Sequence, residues 1–239
     1  MIEKIIKTDT RLNRRNCIKT FGTAGIGWAV IGCSGSSPAG TMEKSSGELH
    51  EITPAEDLMF EHGVIERLLL IYNDAVRRIK SGGDISPELI SDTADIIRRF
   101  TENYHEKLEE QYVFPRLEKM GRHTELVKIL LKQHKLGREV TDNIRRLVEQ
   151  QETSFGQLAK AMESYSFMYI PHISRENSVV FRTLRESLPE DEYIELGEKF
   201  EQMEDAQLGK SGYMKNLKEI MNIEIKLNIY DLTRFNPVV

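Results

Sequence analysis

From Pro54 onward the apolar residues recur at helical spacing. Leu58, Ile65, Leu68, Leu69, Tyr72, Val76 and Ile79 fall on one broad face, and the run stops at the Gly-rich stretch 81–84. Ser86 stands where a helix N-cap is expected, with Pro87 at the first helical position, and a second run continues to Met120 before Gly121 interrupts it. The same periodicity predicts a third helix over about 124–150 and a fourth over about 154–188, stopped by Pro189. Four long amphipathic helices with three short connections predict an all-α, up-down-up-down four-helix bundle over residues 54–188. Beyond it, "EDEYIELGEKFEQMEDAQLG" and "GYMKNLKEIMNIEIKL" predict two more helices, a C-terminal helical extension over 189–239 whose last ten residues are expected to be extended. No strand pattern of useful length precedes that tail.

The first fifty residues are different in kind. Residues 1–19 carry six basic side chains (Lys4, Lys7, Arg11, Arg14, Arg15, Lys19) against Glu3 and Asp9, and an apolar run, Phe21 to Gly32, follows. Its twelve residues would span about 18 Å as a helix, against roughly 30 Å for a bilayer core. That length suits the apolar segment of an export signal better than a membrane span. "NRRNCIKTF" resembles a twin-arginine signal, with Cys17 where such signals usually have Phe, and "VIGC" resembles a lipobox ending at Cys33. The expectation is an export signal over 1–33, then a flexible Ser/Gly-rich tether over 34–53 leading to the bundle. The mature protein would be exported and membrane-anchored, facing the periplasm or cell exterior.

Composition narrows the chemistry. The net charge of −5 and the absence of a basic patch in the body argue against a nucleic-acid partner. The two cysteines, Cys17 and Cys33, both fall in the expected signal, so a metal in the body must be held by nitrogen and oxygen ligands.

Such ligands occur at a telling spacing. His105 precedes Glu109 by four residues, and His172 precedes Glu176 by four, so each pair lies on one helical face. Taking the three connections as centred near residues 83, 121 and 153, His62 lies 21 residues before the first and His105 22 after it. Glu109 lies 12 before the second and His134 13 after; His134 lies 19 before the third and His172 19 after. In an antiparallel bundle equal distance from a turn means equal depth, and one residue of mismatch displaces a side chain only about 1.5 Å. Four histidines from four helices are thus expected in one layer. His123, beside Gly121, is expected at the bundle's end and outside that layer. Glu66 and Glu106 are expected to be solvated or to support the site, and His50 in the tether has no expected role.

With these positions placed, the sequence resembles the bacterial hemerythrin-like proteins with the HHE cation-binding domain. "DLMFEHGVIERLLLIY", "YHEKLEEQYVFP", "ILLKQHKLGR" and "PHISRENSVVF" are similar to that family's four helices, so the resemblance covers about residues 54–188. It implies two non-haem iron ions, carboxylate- and oxo- or hydroxo-bridged, with His62, His105, His134 and His172 as terminal ligands and Glu109 and Glu176 as bridges. Asn177 stands where the family commonly has Asp, and Arg182 where a Pro often follows. Oxygen-carrying members have a further histidine one turn past His134, where this chain has Arg138. Two coordination positions would then stay open, against one with a fifth histidine.

The functions in competition are binding or sensing of O2 or NO, an enzyme reducing NO, O2 or peroxide (or an iron donor for repair of metal centres), and a bundle with a fixed structural metal. The residues do not identify the electron donor, nor decide whether the chain is an enzyme.

Overall fold

The computed structural model describes residues 52–150 and 152–237, and the expected export signal and most of the tether lie outside them. The compact unit of interest is Thr53–Val239. It is all-α, with no strand among the described residues.

Helix α1, Pro54–Lys80, starts with a reciprocal cap. The Glu56 amide donates to Thr53 Oγ1, and the Thr53 amide donates to Glu56 Oε2 at 2.9 Å. It ends at Gly82, whose φ of 72° lets the amides of Gly82 and Gly83 turn back to the carbonyls of Ile79 and Arg78. Helix α2 occupies 87–119 and ends the same way at Gly121, with φ 65°. Helix α3 is Thr124–Val148, and α4 occupies 155–187. Ser86 stands at the N-cap of α2, but its hydroxyl donates to the Glu88 side chain and leaves the helix amides uncapped.

Helices α2 and α4 are not continuous α-helices, contrary to the sequence-based expectation. Ile97–His105 and Glu109–Val113 in α2, and Glu176–Val180 in α4, are π-helical. Each of the two shorter π segments begins at a glutamate and closes on a phenylalanine. The Phe114 amide bonds the Glu109 carbonyl, and the Phe181 amide bonds the Glu176 carbonyl. In an α-helix the fifth residue along is rotated about 140° away, whereas an i→i+5 turn returns it to the same side. Hydrophobic periodicity cannot reveal such a turn, because one wide turn barely changes the apolar pattern.

Adjacent helices run in opposite directions where their contacts can be read. Lys80 meets Glu163 while His62 meets Asn177 across α1 and α4, and Arg98 meets Asp142 while Glu110 meets His134 across α2 and α3. The extension is α5, Glu190–Leu208, and α6, Gly212–Lys226, which pack together against α1 and α2. Tyr193 accepts the Ala55 amide, Glu224 pairs with Arg67, and Asn216 accepts from Arg99. The last residues are not simply extended. Leu232–Phe235 forms a 3₁₀ turn, because the Asp231 side chain accepts the Thr233 amide.

One close approach positions the interior. A Cβ built on Gly137 in α3 would lie 2.7 Å from the Tyr169 hydroxyl oxygen in α4. Tyr169 is fully buried, so it cannot swing clear. Gly137→Ala is therefore expected to destabilise the protein by about 1–3 kcal/mol despite the better helix propensity of alanine. Urea unfolding of the two proteins checks this, and equal midpoints would mean that Tyr169 has room to move.

Candidate metal centre

Six side chains converge in the middle of the bundle: His62 from α1, His105 and Glu109 from α2, His134 from α3, and His172 and Glu176 from α4. All are buried. The spacing on α2 and α4 presents each imidazole and carboxylate pair to the interior together, and α1 and α3 supply one imidazole each. The rings fall into two couples, with centroids 4.7 Å apart for His62 and His105 and 5.0 Å for His134 and His172.

The carboxylates lie between the couples. Glu109 Oε1 is 3.7 Å from His105 Nε2, and its Oε2 is 3.4 Å from His134 Nε2. Glu176 Oε2 is 3.4 Å from His62 Nε2, and its Oε1 is 3.0 Å from His172 Nε2 and 4.0 Å from that of His134. Each carboxylate thus turns one oxygen to each couple. Two ligand atoms at right angles on an ion with bonds of about 2.1 Å would be about 3 Å apart, so these separations fit a shared cation at each couple. Donor atoms from Glu109, His134, His172 and Glu176, and from His62, His105 and Glu109, form two groups close enough to hold one ion each.

Every imidazole is aimed by its other nitrogen. The Nδ1–H of His62 donates to Asn177 Oδ1 at 2.7 Å, and that of His105 to Glu61 Oε2 at 2.8 Å. Those of His134 and His172 donate to Glu110 Oε1 at 3.2 Å and to Gln133 Oε1 at 2.9 Å. Four oxygen acceptors fix the proton on Nδ1 and leave the Nε2 lone pair facing inward. Sequence reasoning missed Glu61, Glu110 and Gln133, and placed Asn177 only as a departure from the family pattern. The available signal was adjacency: 61/62, 109/110, 133/134 and 176/177 are neighbours. One step along a helix turns a side chain by about 100°, from the centre toward the next helix.

Phe114 and Phe181, carried round by the π turns, lie against His134 and His62, with centroids at 5.5 and 5.1 Å. They close the apolar side of the cluster. On the other side the surroundings are polar. Glu106 accepts the Tyr169 hydroxyl on Oε1 and Arg138 on Oε2, and Arg138 also binds Glu110. Arg138 therefore points inward to Glu106. Glu106 is buried beside the cluster, and Glu66 is exposed. His123, with φ 54°, contacts Thr183 Oγ1 at 3.1 Å and stands outside the cluster.

Burial holds His105 below its ordinary pKa and brings His134 down to about 4, so both are neutral near pH 7 and able to donate a lone pair. Burial and the facing Glu176 carboxylate raise Glu109 well above the usual range. Burial would raise Glu176 as well, but His172 and His62 beside it outweigh that and keep it low. Without a cation, two buried carboxylates with oxygens within 4.8 Å of each other resist ionising together. Burial lifts Glu106 to about 8 against the pull of Arg138 and Tyr169. Glu110 is partly buried, but hydrogen bonds from His134, Lys107 and Arg138 overcome that burial and bring it to about 2.

The residues fit a metal ion on the chemistry of their unpaired atoms. His62 Nε2, His134 Nε2 and all four oxygens of Glu109 and Glu176 are buried with no hydrogen-bond partner. A helical bundle enclosing a buried imidazole and carboxylate cluster of this kind is built as a cation-binding protein. The description hemerythrin HHE cation binding domain matches residues 53–184, and the chain belongs to that hemerythrin family. It is also 37% identical to proteins described as uncharacterised from Mycobacterium bovis and from two strains of Mycobacterium tuberculosis. Each match covers 95% of this chain and 91% of the relative, so the likeness extends beyond the family domain at both ends. No solved structure matches the chain.

Removing an acceptor should loosen a ring without removing a ligand. Asn177→Ala and Gln133→Ala are each expected to weaken metal binding about 10–100-fold, and His123→Ala to leave it unchanged. Competition with a chelator measures all three, and a loss of affinity in the His123 variant alone would relocate the site.

Proposed function

We propose that the chain is a non-haem di-iron protein that binds or senses O2 or NO. In this reading His62 and His105 hold one ion, His134 and His172 hold the other, and Glu109 and Glu176 bridge them. The observation that carries it is the set of buried nitrogen and oxygen atoms with no hydrogen bond. Each such atom is costly unless a cation lies among them. Mixed imidazole and carboxylate ligation suits iron, although manganese or zinc could use the same atoms. Bound iron would supply a redox-active Lewis acid with room for a small ligand. The protein's part is to aim four lone pairs inward and, through Phe114 and Phe181, to exclude bulk water.

A second reading, an enzyme reducing NO, O2 or peroxide, is favoured by Arg138. A guanidinium has no lone pair to give a metal, and this one is held by Glu106 and Glu110. The position one turn past His134 is therefore left to water or substrate. Electrons would come from a donor outside the chain. Iron donation for repair of metal centres would use the same open positions.

Purified protein is expected to hold about two iron ions per chain, with absorption that changes on reduction. Glu109→Gln and Glu176→Gln should weaken the second ion most, because a neutral amide cannot serve two cations. Full occupancy in both variants would remove the bridging role. Mixing the reduced protein with NO separates the two readings: a stable adduct supports binding, and release of nitrous oxide supports reduction.

We further propose export and a lipid tether at Cys33, supported by the paired Arg14 and Arg15, the apolar run 21–32 and the Cys at its end. No helix among the described residues is long and apolar enough to cross a membrane. Cys33→Ser is expected to move the protein from the membrane fraction to the soluble one. Continued membrane association of that variant would favour an uncleaved N-terminal segment.

A further inference from the structure

Large apolar side chains stand exposed on the outer faces of α3 and α4. Phe167 is 82% exposed and Ile170 56% on α4, and Ile129 and Leu136 are exposed on α3. Leu136 and Val140 from α3 and Ala161 and Ser164 from α4 line one groove between the two helices. Phe167 lies one turn beyond Ser164 on the same side of α4, so it borders that groove. Single exposed apolar residues need no explanation, whereas several gathered along one groove mark an interaction surface.

The same face lies over one edge of the metal centre. Ile129 and Leu136 stand one turn to either side of Gln133, and Gln133 Oε1 accepts the His172 Nδ1–H at 2.9 Å. Gln133 is half-buried, and His172 is the most exposed of the six clustered side chains. One hydrogen bond therefore separates this surface from the cluster. The other anchors have different surroundings. Glu61 is fully buried, Glu110 is held by Lys107 and Arg138, and Asn177 has Ser174 and Ser178 beside it on α4. Charge marks the rim of the face. Lys132 directly precedes Gln133, Arg175 lies one turn past His172, and both are exposed. At the far end of the groove Glu139 and Lys160 line it together and offset each other, and Glu163 is tied to Lys80. The end over His172 is thus apolar with a positive rim.

We infer that this face of α3 and α4 is the docking surface for an acidic redox protein that delivers electrons to the metal centre past Gln133 and His172. The inference rests on the di-iron reading above, in which the electrons come from outside the chain. Electron-transfer partners meet over small surfaces, so an apolar patch with charge at its rim suits them. The positive rim steers an acidic partner inward. Phe167 and Leu136 then supply the dry contact that seats it over Gln133. Each encounter moves one electron. The donor is oxidised by one, one ferric ion is reduced to ferrous, and two encounters reduce both ions.

The test uses the full-length iron-loaded protein, with iron measured on the same sample, and reduced plant-type ferredoxin, an acidic one-electron protein, as the probe. The rate at which ferredoxin reduces the unmodified protein, followed by absorption after rapid mixing, is expected to fall as salt is raised. Lys132→Glu and Arg175→Glu should each slow it about tenfold at low salt. Dithionite, a small reductant that needs no docking, should reduce these variants at the unmodified rate. Calorimetric titration with oxidised ferredoxin reads binding without electron transfer, and Phe167→Ser should weaken that binding about tenfold. Unchanged ferredoxin rates in both charge variants, a rate indifferent to salt, or unchanged binding in Phe167→Ser would each overturn the inference while leaving the di-iron reading intact. Equal slowing with dithionite would place the effect in the centre itself and also overturn it. So would sedimentation of the unmodified protein as a dimer that Phe167→Ser dissociates, because a second copy would then occupy the face. Protein that takes up no iron fails at the metal analysis, before any donor is added, and both readings then fall.

Discussion

Glu109 and Glu176 face each other in the interior, and no protein donor satisfies any of their four oxygens. Two carboxylates at such a distance repel, and burial magnifies that repulsion. Much of the surrounding architecture can be traced to this pair. Each glutamate opens a π turn, each turn brings a phenylalanine against an imidazole, and each imidazole is anchored from outside by an oxygen acceptor. Hydrophobic packing holds the four helices together. The carboxylate pair accounts for the ring of imidazoles and oxygen acceptors gathered at its level.

The bundle was legible because long amphipathic helices write their period plainly. Leu58, Ile65, Leu68, Leu69, Tyr72 and Val76 are all buried, as their spacing required. Helix ends were legible where Gly82 and Gly121 take positive φ. The meeting of the six named side chains at one level follows from counting residues outward from those turns. The wide turns were not legible, because the i→i+5 bond at Glu109 and Glu176 depends on tertiary fit and leaves no mark on hydrophobic periodicity. Nor were the acceptors Glu61, Glu110 and Gln133, since a polar residue beside a histidine on a charged helix usually faces water. The tail was misread because the Asp231 side chain supplies a local hydrogen bond that favours a turn.

The extension shows how a familiar domain can be completed differently. Helices α5 and α6 cover α1 and α2, and Phe200 and Tyr213 pack against Tyr112 and Phe100 on that flank. Phe100 in turn packs against Tyr104, whose hydroxyl donates to Glu61, the acceptor for His105. Packing from outside the family domain is thus linked to the orientation of one imidazole. The likeness to the mycobacterial proteins extends over this region as well.

The four anchoring acceptors are not alike, and the difference divides the cluster. The couple His62 and His105 is backed by an amide and by Glu61, which is 0% exposed; the couple His134 and His172 is backed by an amide and by Glu110, whose side chain is 18% exposed beside Lys107 and Arg138. The two amides are both half-buried, so the difference lies in the carboxylates: the Glu61 end is the drier, while the Glu110 end communicates with the solvent's dielectric and with dissolved salt. Charge arriving at the dry end is felt in full, and charge arriving at the wet end is partly screened. Two chemically matched halves built from the same residue types are in this way electrostatically distinguishable, and the protein has a built-in order in which they would respond to a change in ionic surroundings.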